Sequence, residues 1–240
     1  MLICIPMAGR SSRFYDAGYT VPKFMLDLNG RPIFDHAISS FSRYFQTATF
    51  LFFALNSAET EKFIHERCKY LNIKNFKITS FEIPTSGQAE TVYLGLKNMN
   101  ISESESILIF NIDSFRPDFK IYDAGLNAAG YLEVFEGDGD NWSYVVENKI
   151  KLGFASAVYE KKRISNWCSN GMYFFQSLSL YNRAYLAETD NPSQLINERY
   201  ISPIYNQLIM MGYDILMYKL NPNDTIFCGT PKEYEELRCK

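Results

Sequence analysis

The residues with the clearest capacity for chemistry lie near the beginning of the sequence. A short apolar run ends in the loop Ala8-Gly9-Arg10-Ser11-Ser12-Arg13, and the pair Pro22-Lys23 follows ten residues after Arg13. A strand that leads into a loop of glycine and serine offers backbone N–H groups to an anion. Two arginines and a lysine beside such a loop favour a polyphosphate ligand over a single carboxylate. A solvated basic turn is the alternative interpretation.

Two further polar segments follow predicted strands in the first half of the chain. Asp113 comes just after the apolar run Ser106–Asn111, and a carboxylate at the end of a strand can hold Mg²⁺. The turn Ser86-Gly87-Gln88 precedes a predicted helix. Its glutamine could pair with the edge of a nucleobase, and its glycine would let a base approach the backbone. A turn-forming aspartate and an ordinary helix cap are the alternatives.

The second half of the chain contributes a charged run and a turn. Glu160-Lys161-Lys162-Arg163 ends a predicted strand, and Asn170-Gly171 follows a few residues later. A solvated turn is the default interpretation of such a charge run. Both segments could nevertheless face one cleft together with the residues of the first half. The histidines lack a partner at a spacing suited to metal binding, so we assign them no chemistry.

Strands and helices alternate through the first half of the chain. The predicted strands are Leu2–Pro6, Thr49–Leu55, Phe76–Glu82 and Ser106–Asn111, and the predicted helices are Ile33–Phe45, Ala58–Cys68 and Gly87–Lys97. This order indicates a parallel sheet with right-handed crossovers, in which ligands bind outside the carboxyl ends of the strands. The Gly9 loop, the Gly87 turn and Asp113 are therefore expected to meet in one cleft.

The second half has a different pattern. Residues 130–175 consist mainly of strands and turns, which predicts an antiparallel insertion or lid. A helix at about Ser177–Glu188 follows, and Ser202-Pro203 predicts an N-cap with proline at the first position of a helix that ends near Met211. Asp214–Leu220 is a further predicted strand. The sequence Thr230-Pro231-Lys232-Glu233 predicts a capping box on a last helix.

Composition limits the class of protein. The chain has 240 residues, a net charge of −3 and 47% hydrophobic residues, which suits one globular α/β domain and gives no reason to expect nucleic-acid or membrane binding. The five cysteines are widely spaced and contain no CxxC pair, so a disulfide framework is not expected and a reducing cytoplasm fits. No signal peptide and no apolar membrane span are predicted.

Seven segments in order resemble the motifs of the sugar-phosphate nucleotidyltransferase family. They are PMAGRSSRF and Val21-Pro22-Lys23 in the opening stretch, SGQAETV after Thr85, NID at Asp113, AVYEKKR before Ile164, NGMYFF from Asn170, and GTPKEYEEL from Gly229. No single segment is decisive, but together they span nearly the whole chain. The chain also resembles the short members, which lack a C-terminal β-helix.

The resemblance implies a role for each motif. Arg13 would contact the β- and γ-phosphates of a nucleoside triphosphate (NTP), and Lys23 would contact the α-phosphate and the incoming phosphate. The remaining roles fall into three groups. The nucleotide would be held by Met7, Ala8, Gly9, Arg10, Ser11, Ser12, Ser86, Gly87 and Gln88, the acceptor by Glu160, Lys161, Asn170 and Gly171, and Mg²⁺ by Asp113, with Asp224 as a weaker second ligand.

The chain departs from the family pattern at two positions of the site. Ser11 stands where the family has its second loop glycine, so the backbone there is less free. Phe227 stands where the family often has a second metal-binding aspartate, and Asp224 is the nearest acidic residue.

The resemblance also implies a fold and a function. We expect a Rossmann-like, mainly parallel sheet flanked by helices, of the GT-A-like nucleotidyltransferase type, with an antiparallel lid on the acceptor side. Residues 1–128 would form the nucleotide-binding half and residues 129–240 the acceptor-binding half of one domain. The expected function is transfer of a nucleoside monophosphate from an NTP, preferably CTP or UTP, to a phosphorylated acceptor for surface-polysaccharide or cell-wall precursor synthesis. A GT-A glycosyltransferase and a non-catalytic nucleotide-binding regulator are the alternatives, and the acceptor and the oligomeric state stay open.

Overall fold

The computed structural model describes residues 1–194 and 196–239. Thirteen strands are described: β1 (Leu2–Met7), β2 (Asp27–Leu28), β3 (Arg31–Pro32), β4 (Thr49–Leu55), β5 (Asn75–Phe81), β6 (Ile107–Phe110), β7 (Ser114–Phe115), β8 (Gly130–Glu136), β9 (Ser143–Glu147), β10 (Ala155–Glu160), β11 (Trp167–Phe175), β12 (Ile215–Leu220) and β13 (Ile226–Phe227). The α-helices are α1 (Ser12–Asp16), α2 (Ile33–Ser39), α3 (Ala58–Tyr70), α4 (Gln88–Lys97), α5 (Leu178–Asp190), α6 (Ile204–Met210) and α7 (Pro231–Arg238).

A nine-stranded sheet runs through both halves of the chain. Its parallel part consists of β5, β4, β1 and β6 in that spatial order, which confirms the predicted parallel sheet. Strand β11 then pairs antiparallel with β6, and β8 pairs with β11. Strand β12 lies parallel to β8 at the far edge. The fold is therefore a mixed, mainly parallel sheet with helices on its faces.

Both faces of β1, β4 and β6 are covered, which explains their continuous apolar sequences. In β1, Ile3 and Ile5 belong to one core cluster, whereas Leu2 and Cys4 belong to the other. Strand β4 divides its phenylalanines in the same way between the two clusters. Helices α2 and α3 contribute to the first cluster, and α4, α5 and α6 contribute to the second. The many aromatic side chains therefore mostly fill the core.

The hairpin of β9 and β10 extends past the end of β6. Strand β11 pairs with β6 through its last four residues, and Cys168 in its first part pairs with Tyr144 of β9. The hairpin therefore stands over the carboxyl edge of the parallel sheet, as expected of an antiparallel lid. All four of these antiparallel strands, β8 to β11, belong to the nine-stranded sheet rather than to a separate insertion.

Two predicted helix boundaries are wrong. The helix expected over Ile33–Phe45 ends at Ser39 and is followed by a separate 3-10 turn over Ser42–Tyr44. Helix α6 begins with Pro203 as its N-cap residue, not with Ser202. The capping box of α7 is confirmed, because Thr230 and Glu233 exchange side-chain-to-backbone hydrogen bonds. Among the described residues, no helix is long and apolar enough to span a membrane.

Candidate active site

The opening loop has the geometry of an anion cradle. Met7 and Ala8 are buried at the end of β1, whereas Gly9 and Arg10 are exposed. A Cβ placed on Gly9 would have no atom within 4 Å, so packing does not require the glycine. Within the described residues, neither Arg10 nor Arg13 makes a hydrogen bond or an ion pair to another side chain. Both guanidinium groups can therefore turn toward a bound phosphate chain.

Ser11 adopts the backbone conformation that a glycine would adopt more easily. Its φ is 51°, in the left-handed region, which costs an ordinary residue roughly 1 kcal/mol. The Ser11 carbonyl accepts hydrogen bonds from Phe14 and Tyr15, and its hydroxyl accepts one from the backbone N–H of Lys23 at 3.2 Å. The serine thus ties the loop to Lys23, which a glycine could not do.

Lys23 and Asp113 form an ion pair although they are ninety residues apart. Their side chains are 23% and 20% exposed, so the pair lies at the mouth of the cleft rather than inside the core. Lys23 begins a 3-10 turn, and Asp113 follows β6 after Ile112. The structure therefore brings together the opening loop, the Pro-Lys pair and the proposed metal-binding aspartate, as the topology predicts.

The C-terminal strand runs directly beside Asp113. The backbone N–H of Cys228 donates to the Asp113 carbonyl at 2.8 Å, and Phe227 pairs with Ser114. A Cβ on Gly229 would lie 3.0 Å from Asp113 Oδ2. Gly229, just after this strand, therefore lies next to the Asp113 carboxylate. The Phe227 ring packs against Trp142 and Phe135, with centroid distances of 4.8 and 5.5 Å.

The Asp224 carboxylate takes part in a capping interaction of its own turn. It accepts a hydrogen bond from the backbone N–H of Asn221 at 3.0 Å and caps the 3-10 turn Pro222–Asp224. Within the described residues, no hydrogen bond or ion pair joins Asp224 to Asp113, and no group of three or more His, Cys, Asp or Glu side chains could hold a metal ion. The capping role gives no support to Asp224 as a second metal ligand.

The Gln88 side chain is held by a hydrogen bond to Asn111. Gln88 begins α4, and its Nε2 donates to Asn111 Oδ1 at 2.7 Å. This bond fixes the amide and leaves the Gln88 carbonyl oxygen as an acceptor. Asn111 in turn lies under Gly171, where a Cβ would meet Asn111 Nδ2 at 2.4 Å. Asn111 was not among the predicted site residues, although it stands in the same NID segment as Asp113.

We expect Gly171→Ala to disturb this arrangement strongly. Gly171 has a φ of +89° and no space for a Cβ, so the substitution should lower the free energy of unfolding by about 2–3 kcal/mol. It should also displace Asn111 and raise the KM for the nucleotide. Gly153→Ala is the matched control, because Gly153 has a φ of +83° but no atom within 4 Å of its Cβ position. Equal effects in denaturant unfolding would contradict the crowding argument.

The turn before α4 is stabilised by contacts within the protein. The Ser86 N–H and hydroxyl both bond to Glu90, at 2.6 and 2.5 Å. A Cβ on Gly87 would lie 2.5 Å from the backbone oxygen of Arg199. The chain around Arg199 fills the space on the Cβ side of Gly87, so contacts within the protein already require a glycine here.

The predicted acceptor residues separate into buried and exposed groups. Glu160 is buried and accepts hydrogen bonds from the hydroxyls of Ser143 and Ser202, the latter at 3.1 Å. Burial raises the pKa of the Glu160 carboxyl. Lys161 is exposed, with its ammonium group on the hydroxyl of Tyr200. The hydroxyl of Ser202 thus bonds to Glu160 instead of capping a helix.

Asn170, which is predicted to contact the acceptor, has its hydrogen-bond partners inside the protein. Asn170 is 1% exposed, and its Nδ2 donates to Glu133 at 2.7 Å and to Thr225 at 3.0 Å. Its Oδ1 accepts from the N–H of Met172 at 3.0 Å. Because both amide hydrogens are used inside the protein, the side chain links β8 and β11 to the C-terminal strand instead of facing the cleft.

Comparison with known proteins supports one family. No protein-family model matches the sequence, and a search of curated proteins found no match. A solved structure of a nucleoside-diphosphate-sugar pyrophosphorylase from Vibrio cholerae RC9 is 42% identical, with a TM-score of 0.95 over 99% of this chain and 100% of that chain. An inositol-1-phosphate CTP transferase from T. maritima gives a TM-score of 0.75 at 14% identity, covering 98% of this chain and 94% of that chain. A UDP-glucose pyrophosphorylase complexed with UDP-glucose gives 0.72 at 13% identity, covering 99% and 97%.

The fold and the match to the Vibrio cholerae structure define an α/β enzyme of the nucleotidyltransferase class. The two structures below 15% identity show the fold alone, whereas the Vibrio cholerae protein shows kinship over the whole chain. The chain therefore belongs to the sugar-phosphate nucleotidyltransferase family, to which nucleoside-diphosphate-sugar pyrophosphorylases also belong.

Proposed function

We propose that the protein transfers a nucleoside monophosphate from CTP or UTP to a phosphorylated small acceptor and releases pyrophosphate. The observation that carries the proposal is the ion pair of Lys23 with Asp113 at the mouth of the cleft, beside the exposed Arg13 loop. Cations beside one carboxylate suit a triphosphate that enters with a divalent metal ion. The acceptor is a sugar phosphate or a phosphorylated alcohol, and the product serves surface-polysaccharide or cell-wall precursor synthesis in the cytoplasm.

The reaction requires positioning and charge stabilisation more than proton transfer. An oxygen of the acceptor phosphate attacks the α-phosphorus of the NTP, and the bond from that phosphorus to the bridging oxygen of the pyrophosphate breaks. The electron pair of that bond leaves with the pyrophosphate. The acceptor phosphate is ionised at neutral pH, so no general base is needed. In this scheme Lys23 stabilises charge at the α-phosphate and Arg13 stabilises the leaving pyrophosphate.

The Asp113 carboxylate suits a magnesium ion that binds together with the triphosphate. Mg²⁺ retains several waters and is commonly held by one or two carboxylates plus substrate phosphates. Asp113 supplies one carboxylate, which forms an ion pair with Lys23. When bound, the ion would neutralise phosphate charge. Removal of Mg²⁺ is therefore expected to weaken nucleotide binding rather than to unfold the protein.

A pyrimidine base is supported by the crowded turn before α4. The backbone of Arg199 fills the space beside Gly87, and Gln88 is held by Asn111 with one acceptor oxygen left for the base. All four bases carry an N–H donor on the Watson–Crick edge, so the preference for a pyrimidine rests on size alone. A small base suits the restricted space better than a purine.

The proposal predicts pyrophosphate release that depends on two substrates. The purified protein is incubated with Mg²⁺, each of the four common NTPs and a panel of sugar 1-phosphates and phosphorylated alcohols, and pyrophosphate is measured. Release with CTP or UTP and one class of acceptor, and none with either substrate alone, is the expected result. Release of a nucleoside diphosphate from a nucleotide-sugar, without pyrophosphate formation, would instead indicate a glycosyltransferase.

A further inference from the structure

Lys161 is held at several points. Its backbone has a φ of 53°, and its N–H donates to the carbonyl of Trp142 at 2.8 Å. Its ammonium group contacts the hydroxyl of Tyr200 and lies 4.7 Å from the centroid of the Tyr200 ring. The Tyr200 hydroxyl in turn donates to Glu198. A flexible lysine chain is therefore fixed in one place before any acceptor arrives.

The segment that carries Tyr200 is anchored to both sides of the cleft. On the nucleotide side, the Arg199 N–H donates to the Ser86 carbonyl, and the Ala89 N–H donates to the Arg199 carbonyl, both at 2.9 Å. On the acceptor side, the Ser202 hydroxyl donates to Glu160 at 3.1 Å. Backbone contacts of the neighbouring Arg199 with the turn before α4 thus set the position of Tyr200, whose side chain is half-buried.

We propose that Tyr200 is a positioning residue that holds the Lys161 ammonium group where the phosphate of the acceptor binds. This inference rests on the proposed function and on the expectation from the family resemblance that Lys161 contacts the phosphate of the acceptor. Tyr200 accepts one N–H of the ammonium group, so the other N–H donors are left for the acceptor. Burial and the hydrogen bond to Glu198 raise the pKa of Tyr200, which keeps the phenol protonated and uncharged at neutral pH.

The kinetic test separates the two substrates. Tyr200→Ala should raise the KM for the acceptor about tenfold, because the ammonium group loses its hydroxyl partner. The KM for the NTP should change less than about twofold. Tyr200→Phe keeps the ring but removes the hydroxyl, so it should raise the KM for the acceptor by a similar factor. Tyr70→Ala is the control, because Tyr70 also lies under a cation, with Arg67 at 4.2 Å, but on helix α3. An unchanged acceptor KM in Tyr200→Ala would overturn the proposal.

A second measurement does not depend on turnover. The reactivity of Lys161 toward an amine-acylating reagent is followed by peptide mass spectrometry, with the neighbouring Lys162 as an internal reference. Tyr200→Ala should raise the labelling of Lys161 severalfold and leave Lys162 unchanged. Equal labelling of Lys161 in the wild type and the variant would overturn the positioning role. If the wild type releases no pyrophosphate with any substrate pair, the proposed function fails while the labelling still decides the role of Tyr200.

Discussion

Replacement of Lys23 by alanine is expected to lower the rate of pyrophosphate release by about a thousandfold. Lys23 is the only lysine that the described structure places in an ion pair with Asp113, and the proposed reaction develops charge at the phosphorus next to it. The same substitution should lower the free energy of unfolding by about 1 kcal/mol or less, because the ion pair is partly solvated. Rate and stability should therefore separate, as measured by a pyrophosphate assay and by denaturant unfolding.

Matched variants test the role of Lys23 and of its partner Asp113 more specifically. Lys23→Arg keeps the charge but changes its shape, so an intermediate rate is expected. Asp113→Asn keeps the size of the side chain and removes the carboxylate, and it should make the reaction require more Mg²⁺. Lys77→Ala controls for the loss of an exposed lysine on β5. Near-full activity in Lys23→Ala would mean that the opening stretch has been misinterpreted.

Much of the parallel half of the fold can be predicted from local sequence. Strands β1, β4 and β6 are short apolar runs because both of their faces are buried, and each run is bounded by polar or small residues. The order of these runs and of the helices between them fixes which strand ends meet. Asp113 and Lys23 could therefore be expected in one cleft, although no local pattern states that they form an ion pair.

The direction in which a side chain faces is harder to predict near an irregular strand. Strand β11 shifts register between Ser169 and Tyr173, and Gly171 within this bulge has a φ of +89°. Alternation along a strand assigns faces only where the period of two is unbroken. The sequence around Asn170 therefore does not indicate that its side chain is buried among partners on β8 and next to β13.

Hydrogen bonds between residues that are distant in sequence leave no local sequence pattern from which they could be predicted. Arg199 bonds to Ser86 through backbone atoms, so neither side chain indicates the contact. Tyr200 lies outside every motif that the sequence suggested, and its role depends on the course of the chain between α5 and α6. The same holds for the bond between Ser202 and Glu160, since the Ser-Pro sequence equally suits a helix cap.

The buried pair of Arg116 and Glu133 leads to the largest expected change in stability. Their side chains are 10% and 0% exposed, and Arg116 Nε donates to Glu133 Oε2 at 3.0 Å. Arg116→Ala should lower the free energy of unfolding at neutral pH by about 3–5 kcal/mol, because it leaves a buried carboxylate without its counter-charge. Asn170 would be the remaining hydrogen-bond donor to that carboxylate among the described side chains.

The loss of unfolding free energy in Arg116→Ala should depend on pH in a defined direction. Burial raises the pKa of Glu133 even with Arg116 present, and removal of the cation should raise the pKa further. A carboxyl whose pKa is raised by folding contributes most stability below its unfolded pKa and loses that contribution as the pH rises through its folded pKa. The difference in unfolding free energy between wild type and Arg116→Ala should therefore be larger at pH 8 than at pH 5.

The double variant Arg116→Ala/Glu133→Gln separates charge from packing. Glutamine is uncharged and can still accept the hydrogen bond from Asn170, so part of the stability should return and the added pH dependence should disappear. A loss below about 1 kcal/mol in Arg116→Ala, or one that is the same at both pH values, would contradict a buried unpaired carboxylate as its cause. Because Asn170 also bonds to Thr225, just before the strand that passes Asp113, the single variant should lower activity as well, and the double variant should restore part of it.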